Sequence, residues 1–401
     1  MLGAFILIVI LFPLTLAFLG RMKKGIPGFE STLMTKLYWY HMLFAAIYYI
    51  SVMSSPSDSV EYYLQPQIAY DTWFDAYSTG THFMHFLGYP FINYLSFSYE
   101  MMMVLFSWFG YWGFVCFYIF FKENINFKHS WLGFDLVTLF LFLPNMHYWT
   151  ASLGKGSIIF FGIGLMTYGL SRLSSRKISL IVGLAIIYHV RPHIFMIMAV
   201  GIMLGLFTGR QKVPLYQKML LLAAGGAAMF LLYDEILAFA SVDAEDVMGS
   251  FGELANQRAS ELAKSNSGVD ISSYPYPLKL LTFWFRPLFL DSPSMAGFLV
   301  SVENSFYLLL TFKLFQSGFL KFLSKSSAII KTSFVVFVGT SLMMCSTLSN
   351  LGIIVRQKTM IMYFFLFLVV AFLDYKKAPR KNRKRAAIKM QKEHPTIQLT
   401  N

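Results

Sequence analysis

Two short motifs carry fixed cationic groups within apolar sequence: Arg191-Pro192-His193 and Arg356-Gln357-Lys358. A third, Arg286-Pro287, lies in the apolar run Leu278–Leu290. A guanidinium in or beside lipid costs several kcal/mol, so such arginines are rare, paired or functional. Arginine also presents a rigid, always-charged fork that fits phosphate oxygens. Threading the chain by its charge places all three motifs at one membrane face. Together they predict a pocket for an anion at a lipid surface, and a lipid diphosphate has that chemistry.

Other residues at the same face could take part. Asp58 and Glu61, in Asp58-Ser-Val-Glu61-Tyr62-Tyr63, offer a carboxylate that could take a proton from an attacking sugar hydroxyl. The segment Asn145–Gly156 (NMHYWTASLGKG) places Trp149 where a sugar could stack and Lys155 where an ammonium could meet phosphate. His189 and His193 flank Arg191. Glu303, within an apolar run, must be paired, and a structural salt bridge fits it as well as a catalytic role. His82 and His85 are three apart; with Asp71 or Asp75 they could hold a divalent ion, but the spacing is weak and no metal or other cofactor is expected. No Walker motif, G-x-S-x-G or Cys/His zinc spacing occurs.

These residues must be positioned by helices in lipid. The chain has 401 residues, of which 56% are hydrophobic and 13% charged, far below the charge of a soluble domain. Its apolar runs have the length of spanning helices, about 17–25 residues, and lack the alternation of a barrel. A net charge of +13 raises nucleic acid as a partner, but nine of the 33 Lys and Arg lie in Lys376–Lys392, directly after a span. That is the place of a positive-inside anchor beside anionic lipid, so no nucleic acid is expected. Cys116 and Cys345 sit in apolar runs and read as small core residues. Leu2–Leu19 has no basic flank before it and no small-residue cleavage site, and reads as a retained span.

Basic clusters give the threading. Spans are expected at Leu2–Leu19, Tyr38–Met53, Tyr99–Phe121 and Trp131–Leu143, with a fifth before Arg172. The run Ile178–Thr208 holds 31 residues with Arg191-Pro192 in its middle. It reads as two short helices meeting at the outer face; one kinked helix is the alternative and would invert everything downstream. Further spans are expected at Leu220–Phe239, Met295–Phe315, Ser333–Thr347 and Met360–Leu373, and Leu278–Leu290 is short enough to be interfacial. The expectation is an all-α polytopic protein of about eleven spans, amino terminus out and carboxyl terminus in. Residues 1–375 would form one transmembrane domain with outer loops 54–98 and 241–293, and 376–401 a basic cytoplasmic tail. Eight of the 33 Lys and Arg then face outside and 25 inside.

Taken in order, Asp58–Tyr63 (DSVEYY), His147–Gly156 (HYWTASLGKG), Tyr188–His193 (YHVRPH), Phe285–Leu290 (FRPLFL) with Glu303-Asn304, and Asn350–Lys358 (NLGIIVRQK) resemble bacterial O-antigen and exopolysaccharide polymerase-like membrane proteins. That resemblance implies a fold similar to the GT-C glycosyltransferases, with transfer from a polyprenyl-diphosphate-linked oligosaccharide outside the bacterial inner membrane. It implies an acidic base in the first outer loop, Asp58 or Glu61, and cations on the diphosphate. Arg191, Arg286, Arg356, Lys155 and Lys358, with His189, His193 and Trp149, form the expected donor-binding set. Two other classes compete. A transporter or flippase would show inverted repeats and charge near the midplane, and no repeat is seen. A non-catalytic subunit of an envelope or secretion complex would use the Met- and Phe-rich surfaces on protein partners besides membrane lipids.

Overall fold

The computed structural model describes residues 1–54, 57–210, 274–291, 295–347 and 350–393, together with Tyr216, Met219, Ala223 and Gly226. It is helical apart from a two-residue β-hairpin. Five described helices are long and apolar enough to cross a membrane. They are α1 (Leu2–Gly25), α5 (Tyr99–Asn124), α12 (Met295–Leu314), α14 (Ala328–Thr347) and α15 (Leu351–Glu393). The expected span Leu220–Phe239 and most of the loop 241–293 lie outside the described residues.

The remaining expected spans are shorter, more polar or broken. α2 (Ser31–Val52) is long but less apolar. α8 (Lys155–Ser171) has 17 residues. The run Trp131–Leu143 is not one helix. It forms the hairpin Ser130–Trp131/Phe134–Asp135 and then α6 (Leu136–Leu141), capped where Asp135 Oδ2 accepts Thr138 N–H at 2.9 Å. Pro144, which has no N–H to continue a helix, then starts α7 (Pro144–Thr150). Ile178–Thr208 breaks at Arg191 into α9 (Lys177–Val190) and α10 (Pro192–Thr208). At 1.5 Å per residue each helix is about 20–25 Å long, short of a 30 Å hydrocarbon core, so their shared apex can sit near an interface.

Contacts order the ends of the bundle. Glu123 at the end of α5 pairs with Arg176 (2.8 Å) and Arg172 (3.0 Å). Asp374 of α15 accepts the backbone N–H groups of Asn126 (3.2 Å) and Phe127 (2.8 Å). Lys331 donates to the Thr208 carbonyl, so α9 and α10 both return to this basic end. At the opposite end the amino terminus lies 3.9 Å from Glu100, and Asp58 meets Arg356. The two chain termini therefore leave from opposite ends. The tail expected after Leu373 continues α15 as helix to Glu393, as its Ala, Lys, Arg and Gln content favours.

α5 and α15 are the most enclosed of the long helices. Aromatic rings fill the space between them: Phe117 stacks on Tyr363 at 4.5 Å and Phe120 lies 4.4 Å from Phe367. α1, α9 and α12 display Phe5, Ile10, Ile181, Phe298 and Phe312 outward, as lipid-facing helices do. Small residues set the closest approaches. A Cβ on Gly205 of α10 would lie 2.1 Å from Thr332 Oγ1 and 2.6 Å from the Ala328 carbonyl of α14. Gly205→Leu is therefore expected to separate this pair at a cost of about 1–3 kcal/mol or more, read as a fall in thermal midpoint; an unchanged midpoint would mean that the helices do not pack here.

Residues 57–98 of the expected outer loop are folded. They hold α3 (Asp58–Ile68) and α4 (Thr81–Tyr89), joined by a short 3-10 turn and followed by a π turn at Pro90–Tyr94. α11 (Tyr276–Phe285), ten residues long and capped by Arg286, precedes α12, and the short α13 (Phe319–Ser324) precedes α14.

Candidate functional site

The site begins with how Asp58 is held. Ser57 caps α3, accepting Ser59 N–H at 3.3 Å. Tyr48 of α2 bonds the Ser57 hydroxyl at 3.0 Å, and Tyr99 of α5 bonds Ser59 at 2.6 Å. These bonds pin the first turn of α3 between α2 and α5 and aim Asp58 across the bundle end. Its Oδ2 accepts Arg356 Nη1 at 2.8 Å. The Asp58 side chain is 56% exposed and that of Arg356 28%, so the pair adds little to stability.

Arg356 lies in the second turn of α15, 5.8 Å from the Trp149 ring. Trp149 is set by its own indole N–H, which donates to Asn145 Oδ1 at 3.1 Å. Next to Arg356, Gln357 Oε1 accepts Arg191 Nη1 at 2.9 Å, joining the α9–α10 apex to α15. Arg191 Nε is buried and has no hydrogen-bond partner. The charges of Arg356 and Asp58 both act on Arg191. Two guanidiniums from distant parts of the chain thus lie near one another at this end, one of them paired with Asp58. Tyr62 lies beneath them, its phenol pushed up to about 12 by burial first and by Asp58 next. Tyr48, Asp58, Tyr62, Trp149, Gly154 and Arg356 line a narrow cleft that their side chains fill as it stands.

Lys155 opens α8 beside this cleft and donates to Thr81 Oγ1 at 2.8 Å. A Cβ on Gly156 would lie 2.2 Å from the Trp149 carbonyl, so only glycine lets α8 start against Trp149. Glu61 is exposed on α3, and its charge reaches Tyr62 and Tyr70.

The other expected donor-binding residues stand apart. Lys358 is buried two residues beyond Arg356 and donates to Asn304 Oδ1 (2.7 Å) and to the carbonyls of Trp284 (3.1 Å) and Arg286 (3.4 Å). Buried Glu303 accepts Tyr307 O–H and, at 3.0 Å, Asn145 N–H in the first turn of α7, a carboxylate at a helix N-terminus. These groups tie α11, α12 and α7 to α15. Lys358→Ala is expected to cost about 1–3 kcal/mol, because it leaves three acceptors without their donor and removes the nearby charge that favours the Glu303 carboxylate. The measurement is a thermal midpoint; intact stability with lost anion binding would move Lys358 into the cleft. Arg286 is paired twice with Asp291, at 3.0 and 2.5 Å, and holds that carboxyl below its usual range. His189 uses both ring nitrogens, one on the Ala185 carbonyl and one on Tyr77 O–H, each at 2.8 Å. His193 is half-buried and engaged within the chain.

His82 and His85 lie on one face of α4, and both Nδ1 atoms bond the Tyr70 hydroxyl, at 2.7 and 2.8 Å. Burial, then His82 and Lys155, lower His85 to about 4, so it is neutral at pH 7. Asp75 instead accepts Thr72 N–H at 2.7 Å. Among the described residues no group of three His, Cys, Asp or Glu is arranged to hold a metal ion. An apolar groove of about 670 Å³ runs between α11, α12, α14 and α15 from Trp284 to Lys321. Its lining is mostly apolar, with Lys321 its one charged residue, whereas Asp58 and Arg356 line the narrow cleft.

No family model matches the chain, and neither a curated protein nor a solved structure matches it. Fold and site together define a helical protein with membrane-length helices and a cluster of cations, Lys155, Arg191 and Arg356, at one end of the bundle.

Proposed function

We propose that this chain is a membrane glycosyltransferase of the polysaccharide-polymerase kind, with GT-C-like architecture. It would take a polyprenyl-diphosphate-linked sugar at the outer face of a bacterial inner membrane. The observation that carries the reading is a pair of guanidiniums at one bundle end, Arg356 on Asp58 and Arg191 on the neighbouring Gln357, with a buried Arg191 Nε left without an acceptor. A diphosphate supplies the missing charge and oxygens. Its charge grows as it leaves, so the same forks favour the transition state. Trp149 offers a face for the sugar. The apolar groove beginning at Trp284 suits a polyprenyl tail.

Arg356 is paired with Asp58 in the structure. A donor diphosphate would take over the Arg356 fork and release Asp58, which then accepts the proton of the acceptor hydroxyl. Binding and activation of the base are one event in this scheme. Lysine at 155 adds a further cation at the rim. The test is binding of a short-chain polyprenyl diphosphate to the purified protein, with the monophosphate and inorganic pyrophosphate as comparators. Preference for the lipid diphosphate supports the reading, and equal or absent binding of all three removes it. Glycan formation from a diphosphate-linked donor in proteoliposomes then separates an enzyme from a transporter or a complex subunit.

A further inference from the structure

His41 of α2 and His147 of α7 meet inside the bundle, both fully buried and outside the cleft. Their Nδ1 atoms are 2.8 Å apart. His41 Nε2 lies 3.1 Å from the Ser107 carbonyl oxygen, and the Thr150 carbonyl also bonds this ring. His147 Nε2 lies 2.7 Å from the Leu141 carbonyl oxygen. A carbonyl oxygen only accepts, so each Nε2 must carry its hydrogen. A neutral imidazole has one N–H. Both rings have then spent theirs, and the two Nδ1 atoms would face each other as bare lone pairs. The two Nε2 positions and the Nδ1–Nδ1 contact together need three hydrogens, and two neutral rings hold two.

We propose that His41 and His147 form a proton-binding site that holds one proton between the two Nδ1 atoms, giving the pair a single positive charge. The spacing selects the ligand. A metal bridging two imidazoles in line needs about 2.0–2.1 Å on each side, roughly 4 Å in all. The observed gap suits only a hydrogen.

Burial opposes a charge on either ring, and the surroundings offset part of that cost. The Phe114 ring stacks on His147 at 4.0 Å with an interplanar angle of 1°, presenting its negative face. The three carbonyls strengthen as acceptors from a charged ring. Gly110 of α5 admits the arrangement: a Cβ there would lie 2.0 Å from the Thr150 carbonyl and 3.1 Å from His41 Nε2. The titratable groups nearby are Tyr40, whose ring is 4.8 Å from His147; Tyr363, behind Phe114; and Glu303, bound to Asn145 N–H. Among the described residues neither ring is paired with a carboxylate. The shared proton joins α7 to α2, and α7 carries Trp149 into the cleft. Proton occupancy thus fixes one wall of the cleft, whatever ligand the cleft takes.

The test uses full-length protein labelled with 15N-histidine, in lipid bilayers at pH 7, by solid-state NMR. Of the eight histidines, one pair is expected to show a nitrogen–nitrogen correlation across a hydrogen bond, with three of its four nitrogens protonated. His147→Gln should erase that correlation and leave His41 as a single Nε2–H tautomer. A correlated pair with only two protonated nitrogens, or no correlation at all, overturns the proposal. The wild-type spectrum decides this alone if the variant does not fold.

Discussion

Arg356→Ala is expected to weaken binding of a polyprenyl diphosphate by about 10–100-fold while the protein stays folded. Charge-assisted hydrogen bonds are worth roughly 1.5–3 kcal/mol each, and each 1.4 kcal/mol is tenfold in affinity. Stability should change little, because the carboxylate left behind, Asp58, is 56% exposed and water replaces the guanidinium. Arg191→Ala should weaken binding by a similar factor, and it removes a buried Nε that has no partner in the free protein. Lysine at either position should restore binding only in part, keeping charge and losing the fork. Titration of the purified variants with the lipid diphosphate checks this. Wild-type affinity in both alanine variants would end the anion-cleft reading.

The cations were visible in the sequence because a guanidinium within an apolar run is costly enough to require a reason. Their partners were not. Whether Arg356 or Lys358 faces the cleft depends on the rotation of α15, and two residues along a helix turn a side chain about 200° away. Lys358 consequently points to Asn304 and two carbonyls, while Arg356 points to Asp58. Arg286 lay in a motif like the others, but Asp291 five residues on already fills its fork. The hairpin at Arg191-Pro192 was legible because proline sets a break and 31 residues exceed one span. The division of Trp131–Leu143 was missed; Pro144, just past its end, was the available signal. The His41–His147 contact joins residues 106 apart in sequence, and no local spacing announces it.

Asp58→Asn is expected to lower glycan formation by about 10²–10⁴-fold, the usual contribution of a general base. Donor affinity should not fall, and a modest rise is expected, since Asn cannot match the carboxylate as a competitor for Arg356. That opposite movement of binding and turnover is the signature of the scheme. A residue that only shaped the cleft would lose both together, and a residue that only bound donor would lose affinity first. Glu61→Gln is the control on the same helix: Glu61 is exposed on α3, so the same loss there with normal Asp58→Asn turnover would transfer the base to Glu61. Turnover in proteoliposomes and lipid-diphosphate titration should be measured on the same preparations. Normal glycan formation by both variants would remove the proposed base and leave the cleft as a binding site for lipid diphosphate without transfer chemistry.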